Sequence, residues 1–252
     1  MSMQQDLTPG EVVLVGGGPG DPDLLTVAGL RAIQQADVII HDRLGPVSAL
    51  GEARPEAELI NVGKVPRGDF TPQEEINALL IERARRGLRV VRLKGGDNFV
   101  FGRGGEEWQE CAAAGIPVRV IPGVTSAVAV PALARIPVTH RSLTQGFTVV
   151  SGHVPPGDDR SQLDWRALAQ THTTLVLLMA VKYLPEIAQE LRAGGLADAT
   201  PAAIVADGST AEQASWHGTL ADIAEIAQQH QVRPPAIVVI GDVAGLWLLP
   251  AS

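Results

Sequence analysis

VVRLKGGDNFVFGRGGEE, residues 90–107, is the stretch from which the rest of the chain is read. Val90, Val91 and Leu93 form a branched apolar run that reads as a strand. It stops at Gly95-Gly96, where a backbone without side chains can turn sharply and approach a ligand closely. Around those glycines stand Arg92, Lys94, Asp97, Arg103, Glu106 and Glu107, more charge than a buried strand and its turn need for folding. In an open α/β sheet, ligands bind outside the carboxyl ends of strands, where this turn sits. The same letters also describe an ordinary tight turn before a capped helix, because glycine-rich βα loops are common.

The preceding chain repeats the pattern. In EVVLVGGGPGDPDLL, residues 11–25, a short strand over 12–15 enters a second glycine-rich turn. It imitates a dinucleotide fingerprint, with Asp42 near the distance of the ribose-binding acid. The imitation fails in detail, since Asp21 stands where the third glycine belongs and Pro19 and Pro22 keep the helix from opening there. The helix is placed from 24 or 26 to 35. A strand over 37–40 ends in His41-Asp42-Arg43, where Asp42 is either a cap or a catalytic group. A strand over 59–62 runs into the basic loop GKVPRG, in which Lys64 taken alone reads as a solvated lysine.

Thr71-Pro72-Gln73-Glu74 predicts a helix start with a capping threonine and a capping box closed by Glu74, the helix running to Arg86 and ending at Gly87. A helix over 104–114 and a strand over 118–121 follow, then PGVTS and an apolar segment through 134. Thr125 and Ser126 suit helix caps, and their hydroxyls also suit a polar ligand. Alternating strand and helix predict a largely parallel sheet. IPVTHRSLTQG, residues 136–146, is irregular, and the domain boundary is placed there, giving domains 1–141 and 142–252. The second series has strands over 147–151, 173–179, 202–205 and 236–240 and helices over 184–192 and 219–230, with Asp207-Gly208-Ser209 after the third strand. No internal repeat is evident.

The bulk properties narrow the function. With 252 residues, 45% apolar, the chain can bury a substantial core. No window reaches the roughly 18 apolar residues of a membrane span and no signal pattern opens the chain, so the expected compartment is the cytoplasm. One cysteine, Cys111, leaves no intramolecular disulfide or cysteine-cluster metal site, and the six histidines lack ligand-like pairing. A net charge of −8 argues against nucleic acid as a partner. Residues 1–141 hold 15 of the 20 Lys and Arg, which fits either an anionic small substrate or dispersed solvated charge.

Taken together, VGGGPGDPDLLT, the HDRL around Asp42, VGK at Lys64, QEEIN, VRLKGGD with FGRGGEE, IPGVTSA, IPVTHR, TLV with Met179 and the late ADGST resemble the tetrapyrrole methylase family, in order and over nearly the whole chain. The resemblance implies a two-domain α/β protein, each domain a mostly parallel sheet flanked by helices, with S-adenosylmethionine in a cleft between domains. It also implies a homodimer and no metal. FGRGGEE points to methylation of uroporphyrinogen III at carbons 2 and 7, giving precorrin-2 and S-adenosylhomocysteine. By the resemblance, Asp42 is the proton acceptor and Lys64 the proton donor; the substrate's carboxylates call for cationic partners, for which Arg103 is the first candidate, as a clamp or to orient the ring, ahead of Arg43 and Arg67. It assigns the cofactor to Pro19, Gly95, Gly96, Asp97, Val100, Thr125, Ser126, Met179 and Gly208. The chain departs from the family pattern at Asn98, where proline is usual, at Ala180, where glycine is usual, and at Gly45-Pro46. Rival readings are a sister methylase on a later corrin precursor, a nicotinamide oxidoreductase and a noncatalytic relative.

Overall fold

The computed structural model describes residues 6–63 and 71–246, and they form two compact units divided between Thr125 and Ser126. The first unit is built on strands β1 (Val12–Gly16), β2 (Val38–His41), β3 (Glu58–Asn61), β4 (Val90–Lys94) and β5 (Val118–Ile121), in the order β3-β2-β4-β1-β5. All four pairings are parallel. The helices are α1 (Val27–Gln35), α2 (Gln73–Arg85) and α3 (Gly104–Ala113). Side chains alternate across the strands. Val13, Val15, Ile39, Val91 and Leu93 pack against Ala32 and Ile33 of α1 and Ala49 of a 3-10 turn. Val12, Leu14, Val38, Ile40 and Val90 pack against Ile76 and Leu80 of α2 and Cys111 of α3. Fully burying residues such as Ile33 or Leu80 contributes about 1.5–3 kcal/mol each.

That order places a site. From β1 the chain crosses toward β2, and from β4 toward β5, in opposite directions along the sheet. Right-handed crossovers then put α1 and α3 on opposite faces, so the loops leaving the adjacent strands β1 and β4 part from one another. Such a divergence is the topological switch point of an open parallel sheet.

The second unit holds α4 (Ser126–Leu133), β6 (Phe147–Ser151), α5 (Trp165–Ala169), β7 (Thr174–Leu178), α6 (Leu184–Ala193), β8 (Pro201–Ala206), β9 (Ala214–Thr219), α7 (Ile223–Gln229) and β10 (Ala236–Ile240). Its sheet order is β6-β7-β10-β8-β9. The expected mostly parallel sheet is not what forms here. Only β6 and β7 pair in parallel; β10 runs antiparallel to both its neighbours, and β9 returns against β8 as a hairpin. Ala127 and Val130 of α4 pack on Val176, Val205 and Val239, so the compact division falls before α4, whereas the sequence reading ended the first domain at Arg141. Among the described residues no helix is long and apolar enough to cross a membrane.

Two local expectations change. β9 lies in a stretch to which the sequence assigns no element, and the helix expected over 219–230 is α7 alone. α2 is capped by Pro72 without a side-chain capping bond, so Thr71 and Glu74 do not form the expected capping box. Gln73 turns inward instead, donating to Glu107 and Asn77.

Candidate active site

The carboxyl edge of the first sheet carries three glycine turns in mutual contact. Gly18 and Gly96 exchange backbone hydrogen bonds of 3.1 and 2.6 Å, and Gly17 N donates to Lys94 O at 2.7 Å. A Cβ on Gly123 would lie 2.3 Å from Gly96 O and 2.6 Å from Gly16 Cα, so these backbones approach at a distance that only glycine allows. Gly96 itself has φ 67°, a conformation costly for other residues. The turns leave Gly95, Gly96 and the half-buried Pro19 beside one another at the switch point.

Asp97 ties that edge together. Oδ1 accepts from Phe99 N at 2.9 Å and Oδ2 accepts from Gly123 N at 3.1 Å. Asn98, in the place of the usual proline, is fully buried and donates from Nδ2 to Leu14 O at 3.3 Å and Ile121 O at 2.9 Å, while its backbone carbonyl accepts from Gly104 N. Asparagine thus anchors the turn between β4 and α3 by hydrogen bonds to the middle of β1 and the end of β5. Val100 is half-buried in that turn, and Phe99 and Phe101 are exposed.

Asp42 follows β2 on the same edge. Its Oδ1 accepts from Leu44 N at 3.0 Å and Gly45 N at 3.1 Å, an Asx turn that fixes the carboxylate over the loop containing Gly45-Pro46. Its Oδ2 faces Nη2 of Arg92 at 3.5 Å.

Behind Asp42 lies a buried charge network that sequence reasoning did not assemble. Arg92 and Lys94 alternate with Leu93 and so share the sheet face covered by α2 and α3. Glu107 of α3, fully buried, accepts from Arg92 Nε at 3.1 Å, from Lys94 Nζ with both oxygens at 2.9 Å, and from Gln73 Nε2 at 3.2 Å. Arg92 Nη1 donates to Leu93 O at 3.0 Å. Burial pushes the Lys94 ammonium below its ordinary range, with Arg92 adding to the effect and Glu107 opposing it. The available signal was two cations at alternate positions of an apolar strand.

Arg103 has left-handed backbone (φ 59°) at the start of α3 and is exposed. Its guanidinium donates to both oxygens of Glu106, and that pairing raises it further above its ordinary range. Arg43 is exposed, whereas Lys64 and Arg67 lie outside the described residues. Cys111 is buried, and burial pushes its thiol up to about 11, the state of a packing residue.

Thr125 is half-buried in the loop after β5. In the second unit, Ser126 opens α4. There β7 and β8 both run antiparallel to β10, so Met179 and Gly208 follow strands that end at one edge of that sheet. Met179 lies just past β7, 48% exposed with φ 58°, rather than packed in the strand. A Cβ on Gly208 would lie 2.5 Å from Val130 Cγ1, so its glycine is required by packing against α4.

Residues 11–224 match the family model of Tetrapyrrole (Corrin/Porphyrin) Methylases. The chain is 48% identical over 237 residues to an S-adenosyl-L-methionine-dependent uroporphyrinogen III methyltransferase of Methanosarcina barkeri, covering 94% of this chain and 93% of that one. It is also 48% identical to a sirohaem synthase of Pseudomonas putida, with 94% of this chain covered but only 51% of the synthase, so it spans about half the length of that relative. Among solved structures, uroporphyrin-III C-methyltransferase of Thermus thermophilus complexed with S-adenyl homocysteine superposes with a TM-score of 0.80 at 41% identity, covering 94% of this chain and 99% of that one.

Proposed function

The chain belongs to the tetrapyrrole methylase family, and from that premise we propose that it catalyses methylation of uroporphyrinogen III at carbons 2 and 7, yielding precorrin-2. The observation that carries this reading is the carboxyl edge of the first sheet, where glycine turns meet beside a carboxylate, Asp42, fixed by one oxygen and facing a cation with the other.

The residues present suit S-adenosylmethionine. Pro19, Gly95, Gly96, Asp97, Val100, Thr125 and Ser126, with Met179 and Gly208 from the second unit, offer backbone groups, hydroxyls, a half-buried valine and an exposed thioether. Asp97 serves through the shape of the turn, because both its carboxylate oxygens are engaged by backbone N–H groups. When bound, the cofactor supplies a sulfonium methyl group that forms a carbon–carbon bond with the substrate as the carbon–sulfur bond breaks, leaving S-adenosylhomocysteine. The chain's own part is to orient the macrocycle and move its protons. Asp42 accepts the proton that the methylated macrocycle releases, with Oδ2 as the accepting atom because Oδ1 is held by two N–H groups. Lys64 donates a proton, a role resting on the family resemblance. Arg103 exchanges Glu106 for a substrate carboxylate, which a guanidinium binds with two parallel hydrogen bonds.

The protein acts as a cytoplasmic homodimer, testable by light scattering of the purified chain and by fractionation. The reaction itself is tested by anaerobic incubation with uroporphyrinogen III and S-adenosylmethionine, following product mass and absorbance. A gain of two methyl groups through a one-methyl intermediate is expected. S-adenosylmethionine binding without methylation would transfer the reading to a later corrin precursor or a noncatalytic relative.

A further inference from the structure

We infer that Glu107 is a positioning residue for the reaction, acting through Arg92 on Asp42. The inference rests on the reading of Asp42 as proton acceptor. A lone arginine beside an aspartate closes into a fork of two short hydrogen bonds, which would occupy both carboxylate oxygens. Here the guanidinium is held back. Its Nε is taken by Glu107 at 3.1 Å and its Nη1 by Leu93 O at 3.0 Å, so that only the Nη2 corner faces Asp42. The resulting 3.5 Å separation exceeds the roughly 2.7–2.9 Å of a charge-assisted hydrogen bond. Arg92 therefore faces the carboxylate at a distance that leaves Oδ2 open to take a proton.

Lys94 completes the device. Both Glu107 oxygens accept from its ammonium, which fixes the rotation of the carboxylate and with it the Arg92 anchor. Two cations, Arg92 and Lys94, are matched by two anions, Glu107 and Asp42, in a cluster whose first three members are nearly or wholly buried. Removing the charge of Glu107 leaves Arg92 with Asp42 as its remaining anionic neighbour in the cluster, and the guanidinium closes onto it.

The test is a double-mutant cycle on the full-length chain, reading kcat, KM for uroporphyrinogen III and calorimetric Kd for S-adenosylmethionine. Glu107→Gln should lower kcat on the order of 10- to 100-fold through misplacement of the acceptor, leaving cofactor Kd within about twofold. In an Asp42→Asn background the same change should cost less than about twofold further, because the two act as one unit. Glu107→Asp keeps the charge while drawing the carboxylate back, and serves if Glu107→Gln does not fold; it should show the same non-additive loss. Unchanged kcat, or a loss that multiplies in full with that of Asp42→Asn, would make Glu107 merely structural and overturn the inference while leaving Asp42 as acceptor. If Asp42→Asn alone left kcat intact, the acceptor reading itself would fall, and the inference with it.

Discussion

Oδ2 of Asp97 accepts a hydrogen bond from the backbone N–H of Gly123 at 3.1 Å, joining the turn after β4 to the turn after β5. Since Oδ1 holds Phe99 N, this one side chain sets both the shape of its own turn and the distance to the next. Asp97→Asn can keep one of these acceptors but not both. The loss of a charge-assisted bond should cost about 1.5–3 kcal/mol, read as a lower urea midpoint at unchanged slope. S-adenosylmethionine affinity should fall with it. An unchanged midpoint would show that the two turns hold their spacing without Asp97.

Gly208 makes a comparable demand in the second unit, but against a side chain. The Cβ of Gly208→Ala would meet Val130 Cγ1 at 2.5 Å and Cγ2 at 2.6 Å. Overpacking of this kind costs about 1–3 kcal/mol. Adding Val130→Ala clears the space, so the double variant should be more stable than the sum of the single losses by at least about 0.5 kcal/mol. Strict additivity in thermal melts would place the conflict elsewhere.

These two sites also mark how far the sequence could be read. The strand-to-glycine turns at Gly16–Gly18 and Gly95–Gly96 were legible because a branched run followed by Gly is a local signal, and β5, β6 and β10 fall where periodicity put them. The contact between those turns was not, since it depends on which strands become neighbours. β9, ASWHGT, has no apolar run of its own and takes its form from pairing with β8. Strand direction in the second sheet is likewise a property of β10's neighbours. Glu107 reads in sequence as one more charge in FGRGGEE; its burial follows from Arg92 and Lys94 facing α3, which no local pattern states.

Acid should weaken the first unit through Asp37. The Arg89 guanidinium beside it, with a smaller contribution from Arg54, lowers its carboxyl to about 2 from 3.8. A depressed folded value means the contribution is complete above the unfolded value near 3.8 and is lost as pH falls through about 2. Partial exposure to solvent reduces the worth to about 1–2 kcal/mol. Asp37→Asn should destabilise the protein by that amount at pH 7 and flatten the pH dependence between about 4 and 2 in denaturant titrations. An identical slope for both proteins would assign the acid sensitivity to other carboxylates.

Asp42→Ala and Lys64→Ala should separate chemistry from binding. Each removes a proposed proton-handling group, so kcat should fall about 10²- to 10⁴-fold while the calorimetric Kd for S-adenosylmethionine changes little. Parallel loss of turnover and binding would make the two residues structural.

Met179 sets stability against function at a single backbone position. It holds φ 58° without being glycine, and nearly half of its surface is open. Left-handed backbone costs an ordinary residue about 1–2 kcal/mol, and so exposed a side chain recovers little of that by burial. Such strain persists where the position is needed for something other than folding. Met179→Gly should therefore stabilise the protein by about 0.5–1 kcal/mol, the relief of strain less the entropy that glycine loses on folding. The same change removes the thioether chain proposed to contact the cofactor, so the Kd for S-adenosylmethionine should rise about tenfold, equivalent to about 1.4 kcal/mol. Thermal unfolding and calorimetry on the one variant read both effects. Higher stability with unchanged affinity would remove Met179 from the cofactor site, and lower stability would mean that its side chain packs more than its exposure indicates.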